Sequence, residues 1–229
     1  MDRDTTPIGG LANPMQPTKQ LFFTTIVMDL LAILISFFIS YIFALGILLY
    51  ILTSKAYSYR GIRLKKYPIV GFLTVFIFQG SVIFYTIYHA CHPQQTLSVP
   101  LLPCIISSLL IGASYPLTQI FQHDEDRRDG VITISYLLGK KNTFVFSIFL
   151  FSISVILMYI HFYKNDLMSD FYLFLLITTP IVIFFLFWML RVWRNEKYAD
   201  FIHSLRMNFI STFCLTFYFT LLIIRHHFE

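Results

Sequence analysis

Seven long apolar runs dominate this chain of 229 residues, and they leave little freedom in what it can become. They lie near 20–38, 40–54, 68–91, 99–122, 143–163, 169–190 and 207–225. About 20 mostly apolar residues span a bilayer as a helix. The first two runs form one stretch, Leu21 to Thr53, too long for a single span, and a turn near Ser40 divides it. Charged residues make up 13% of the chain, against about 25% in a soluble domain. The runs are rich in Phe and Ile and lack polar alternation, so they predict helices and not a barrel. The expected architecture is all-α: a polytopic transmembrane bundle of about seven spans, forming one domain over residues 1–229.

The basic residues fix an orientation. With seven spans, every one of the 17 Lys and Arg except Lys164 and Arg225 falls on the N-terminal side of the membrane. That asymmetry predicts a cytoplasmic N-terminal side and an integral protein of the inner, cytoplasmic membrane. The formal charge of +5 therefore reads as topology. Basic and base-stacking residues are not interleaved, which argues against nucleic acid. Cys91, Cys104 and Cys214 lack the paired spacing of a disulfide framework or zinc site.

Charge is concentrated at Asp124-Glu125-Asp126-Arg127-Arg128-Asp129-Gly130, between the fourth and fifth runs. Closely spaced carboxylates hold Mg²⁺, which in turn holds phosphate oxygens. The basic segment Lys55 to Lys66 lies on the same side, and so does the N-terminal segment. A departing diphosphate needs a metal and cations, because negative charge builds on it as its carbon–oxygen bond breaks. Each loop also has a plainer reading, as a topological signal or a solvated connector. Gln119, Gln122 and Asp126 share a face if the helix runs on through them, and that face looks into a polar cavity.

The stretch Gln119, Gln122, Asp124, Glu125, Asp126, Gly130, Thr133 and Leu138-Gly139 resembles the second acidic motif of the UbiA superfamily of intramembrane prenyltransferases. Tyr57-Ser58 followed by Arg63-Leu64-Lys65 resembles the basic segment that follows the family's fourth helix. Asp2-Arg3-Asp4 and the residues after it resemble the end of the first acidic motif, NDxxDxxxD, with Asp2 at its last position. The resemblance implies a nine-helix bundle, and this chain begins inside the first motif; Met1 is expected to be an internal methionine or the gene truncated. It also implies Mg²⁺ held between two acidic motifs, and transfer of a polyprenyl group from an allylic diphosphate to an aromatic or other small cyclic acceptor, as in quinone biosynthesis. Carried over, it gives Asp2, Asp124 and Asp126 to the metal and Arg63 and Lys65 to the diphosphate. Tyr57, Ser58, Gln119 and Gln122 become polar groups of the cavity, with Tyr57 beside Asp124 and Asp126 in catalysis. Gln122 stands where the family usually has an acid. A non-catalytic homologue or accessory membrane protein is the alternative.

Three further positions have open readings. Asp29 lies within the first span and either faces the cavity, sits near a helix end or is paired. Gln79-Gly80 serves close packing or a polar contact. His89, His92 and His123 are not spaced as a metal triad.

Overall fold

The structure, a computed structural model, describes Pro7, residues 11–13 and residues 18–228. Seven helices long and apolar enough to cross a membrane follow one another in the described residues: α1 (Lys19–Ser36), α2 (Tyr41–Ser58), α3 (Pro68–Cys91), α4 (Leu101–Gln119), α5 (Ile134–Lys164), α6 (Met168–Arg194) and α7 (Phe201–Phe228). The chain is thus an all-helical membrane bundle. Below, the proximal face is the one bearing the α2–α3, α4–α5 and α6–α7 connections, and the distal face is the other.

Helix starts follow the sequence. Thr18 and Ser40 cap α1 and α2 through side-chain oxygens that accept the backbone N–H groups of Leu21 and Phe43. Thr133 caps α5 by accepting from Tyr136 N. Such caps satisfy donors that a helix start leaves over. The turn expected near Ser40 is there, but α2 runs on to Ser58, past the expected end at 54. Lys55 does not stop the helix: its ammonium reaches Asp29 of α1 at 2.6 Å. Asp29 is therefore paired.

Helices α4 and α5 form the centre, with α6 and α7 packed on one side and α2 and α3 on the other. Near the proximal face, Leu117, Ile120, Phe144, Phe185 and Trp188 make one core cluster. Near the distal face, Ile106, Met158, Phe171, Phe174 and Tyr218 make another. Helix α1 is peripheral. It packs on α2, and only Ser36 of its residues is buried.

Two glycines shape the helix packing. Gly139 has φ 77, a left-handed conformation that suits a residue without a side chain, and it kinks the start of α5. Gly46 lets α2 meet α3 closely: a Cβ there would lie 2.3 Å from Thr86 Oγ1. The two helices are also latched at the distal face, where His89 joins Ser40 Oγ at 2.9 Å and the Thr96 carbonyl at 3.0 Å. Toward the proximal face Tyr50, Tyr57 and Phe78 stand at the α2–α3 junction, and a pocket opens there. Within α3, Phe76–Val82 is a π-helical turn.

Candidate active site

The helix ending at Gln119 does not continue into the acidic cluster. Ile120 and Phe121 turn, and a separate short helix runs from His123 to Arg128. The expectation of one helical face through Gln119, Gln122 and Asp126 is corrected accordingly. The chain bends there to seat the buried Ile120 in the proximal core. Gln122 precedes the short helix and Asp126 lies one turn later, with Asp126 N donating to Gln122 O at 2.9 Å. These two share a side. Asp124 and Asp126 are two residues apart, about 200° around a helix. Asp124 is exposed while Asp126 is half-buried, so the helix does not aim them at one point.

His123 anchors this helix. Its Nε2 meets Ser135 Oγ at 2.8 Å, and Ser135 Oγ meets Thr143 Oγ1 at 3.1 Å; Thr143 in turn donates to the Gly139 carbonyl at 2.8 Å. Burial pushes the His123 imidazole down to about 4, helped by the nearby Lys140 and opposed by Asp124. The ring is thus neutral at pH 7 and works as a hydrogen-bonding strut.

Three proximal segments meet around the short helix. Arg63 Nη2 donates to Asp129 Oδ2 at 2.9 Å, and Arg63 Nη1 reaches the Asp129 carbonyl at 3.5 Å. Ile132 N donates to Lys66 O at 3.4 Å, and Gln122 Nε2 to Pro7 O at 3.3 Å. Arg63 has φ 47, an unfavourable conformation for a side-chain-bearing residue that its contacts hold in place. Lys65 is half-buried beside it, whereas Ser58 ends α2 and is exposed. Asp2 lies outside the described residues.

A tyrosine pair links this surface to the interior. The Tyr57 hydroxyl of α2 hydrogen-bonds the Tyr115 hydroxyl of α4, and Gln119 Nε2 donates to Tyr115 Oη at 2.7 Å. Asp126 is near enough to act electrostatically on Tyr115. Gln119 is buried, and its Oε1 accepts no hydrogen bond. Tyr57 also borders a small pocket between α2 and α3, about 30 Å³ in volume. Tyr50, Thr53 and Ser54 of α2 line it from one side, and Thr74 and Gln79 of α3 from the other. Tyr115 was not singled out from the sequence, although its spacing of four from Gln119 was a readable signal. Gln79 and Gly80 divide their two readings. Gly80 packs against Ser108, and Gln79 lines the pocket.

Among the described residues, no three His, Cys, Asp or Glu side chains gather in a way that could hold a metal ion. The oxygen donors fit a hard cation all the same. Gln122 donates through Nε2, which leaves Oε1 to accept, and it stands on the side of Asp126. Mg²⁺ is commonly bound through one or two carboxylates plus substrate phosphates and water, without an all-protein cage.

The described residues thus form a helical membrane bundle with polar loops gathered at one face. The model of the UbiA prenyltransferase family matches residues 2–213, and the chain belongs to that family. Members are generally metal-dependent prenyltransferases that use prenyl diphosphates within a lipid bilayer. No match was found among curated proteins or solved structures.

Proposed function

We propose that the protein transfers a polyprenyl group from an allylic prenyl diphosphate to an aromatic or other small cyclic acceptor of quinone or related lipid biosynthesis, with Mg²⁺ at the diphosphate. The observation that carries this reading is the convergence of Gln122, Asp126, Arg63 and the Tyr57–Tyr115–Gln119 chain at one membrane face. Asp126 and Gln122 Oε1 would hold the ion, with Asp2 of the N-terminal segment and the exposed Asp124 as the further acids of the two motifs. The ion, when bound, offsets charge on the diphosphate oxygens.

The chain's own residues do the rest. Arg63 and Lys65 bind the diphosphate as its carbon–oxygen bond breaks and the electron pair leaves with it. The substrate releases Arg63 from Asp129 by presenting a more highly charged partner. Tyr57, Ser58 and Gln119 orient the acceptor side; a nucleophilic acceptor atom forms the new bond to the allylic carbon and loses its proton. The apolar helices keep water from the cation. The proximal face is the cytoplasmic one, on the distribution of Lys and Arg.

The test is diphosphate release by the full chain in detergent, with Mg²⁺ and a panel of allylic prenyl diphosphates and ring acceptors. Release that needs Mg²⁺ and yields a prenylated acceptor is expected, and its absence across the panel overturns the reading. A second reading, a non-catalytic accessory member of the family, is favoured by one observation: the separation of Asp124 from Asp126 among described residues that contain no three-ligand metal cluster. It predicts no release.

A further inference from the structure

We propose that the proximal end of α6 binds one anionic phospholipid. Arg191 and Arg194 hold its phosphate, and an acyl chain lies along Ile183, Phe187 and Leu190. The proposal is independent of the transferase reading.

Helix length sets the level of these residues. The 27 residues of α6 reach about 40 Å, against a hydrocarbon core of about 30 Å. Its last turn, Arg191 to Arg194, therefore stands in the headgroup layer. Trp193 and Tyr198 are exposed at the same level, as aromatic side chains are at membrane interfaces. Below them one side of the helix is apolar and exposed, through Ile183, Phe187 and Leu190. Phe187 lies four residues before Arg191, and Leu190 four before Arg194. On a helix that spacing leads the apolar column up to the two cations.

Charge is out of balance at this place. Between Arg191 and Arg206 stand four basic residues, Arg191, Arg194, Lys197 and Arg206, and two acids. Both acids are turned elsewhere. Glu196 pairs with Lys141 at 3.9 Å, and both carboxylate oxygens of Asp200 meet His203 Nδ1 at 2.9 Å. Arg191 and Arg194 have no carboxylate partner among the described residues. The Arg191 guanidinium lies instead over two rings, 4.5 Å from the centroid of Phe187 and 5.1 Å from that of Tyr198. Stacking occupies the faces of the group and leaves its N–H donors at the edge. None of them meets an acceptor among the described residues. The stack is held in advance, because the Tyr198 carbonyl accepts Trp188 Nε1–H at 2.7 Å.

A lipid phosphodiester supplies what this place lacks. It brings negative charge and oxygens that accept from guanidinium edges. Its acyl chains cover the apolar column, which a soluble phosphate leaves bare. A zwitterionic lipid carries its own cation beside the phosphate and gains less from the arginines. Basic residues where helices meet the headgroups recognise anionic lipids on these terms.

The experiment is native mass spectrometry of the full chain in detergent, titrated with dioleoyl phosphatidylglycerol and, in parallel, with dioleoyl phosphatidylcholine. The first phosphatidylglycerol is expected to bind about tenfold more tightly than phosphatidylcholine. Arg191→Gln and Arg194→Gln each weaken it about fivefold. Phe187→Ala, which removes a stacking ring and part of the column, weakens it severalfold. Arg60→Gln, which neutralises an exposed arginine of the α2–α3 connection, leaves it unchanged. Arg191, Arg194 and Phe187 are all exposed, so a variant that fails to melt like the parent leaves two to decide. Equal affinity for the two lipids overturns the proposal. A loss as large in Arg60→Gln as in the α6 variants marks a diffuse basic surface and overturns it too. Binding of sn-glycerol 3-phosphate as tight as that of the whole lipid identifies a site for soluble phosphates and overturns the lipid assignment.

Discussion

The two faces of the bundle each gather carboxylates, and they treat them in opposite ways. At the distal face Asp170, 2% exposed, receives Arg225 Nη1 at 3.1 Å and His226 Nε2 at 2.8 Å. The Tyr218 hydroxyl donates to its carbonyl at 3.3 Å. One acid on α6 is thereby clasped by three residues of α7, and it sits in a first helical turn that favours negative charge. At the proximal face four acids occupy a single short stretch. Asp129 meets Arg63, Asp126 acts electrostatically on Tyr115, and Asp124 is exposed. The difference separates holding from handling. A clasp concentrates its partners on one buried group, whereas the proximal acids are spread over several directions and differ in exposure.

That contrast can be broken by mutation. Asp170→Ala leaves Arg225 and His226 at the distal face without their carboxylate and costs about 1.5–3 kcal/mol, read as thermal unfolding in detergent, while diphosphate release per folded molecule is unchanged. Asp126→Asn reverses the pattern: release falls about a hundredfold or more, and the unfolding temperature hardly moves. Gly46→Ala forces a Cβ against Thr86 and costs about 1–3 kcal/mol; the same thermal scan measures it, and a melt like the parent's refutes the close contact. Glu196→Gln gives the smallest effect. Its pair with Lys141 is exposed and 3.9 Å long, so less than about 1 kcal/mol is lost and activity stays level.

The spans were legible because bilayer length and apolar composition leave few alternatives, and all seven are present among the described residues. Their ends were less so. Lys55 reads as the start of a loop, yet it lies inside α2, since a long side chain can carry its charge to Asp29. The meeting of the basic and acidic segments could be anticipated from charge and topology, and Arg63–Asp129 realises it in one specific pair. The helix break after Gln119 could not, because it depends on Ile120 finding a place in the core formed with α5, α6 and α7. For the same reason the divergence of Asp124 from Asp126 and the role of Tyr115 required three-dimensional contacts. Tyr115 meets Tyr57, 58 positions earlier in the chain.

The π-helical turn in α3 has a consequence for how the two ends of that helix are phased. A widened turn holds one residue more than an α-turn, which amounts to a rotation of about 100° between the segments on either side. Thr74 and Gln79, which face the pocket, and His89, which latches Ser40, are set relative to one another by that extra residue. Deleting one residue from Phe76–Val82 would leave a continuous apolar span of sufficient length. It would nevertheless turn one end out of register with α2: either the pocket keeps its wall or the distal latch keeps its histidine. An insertion of one amino acid thus serves as an angular gauge, matching a pocket nearer one membrane face to an anchor near the other.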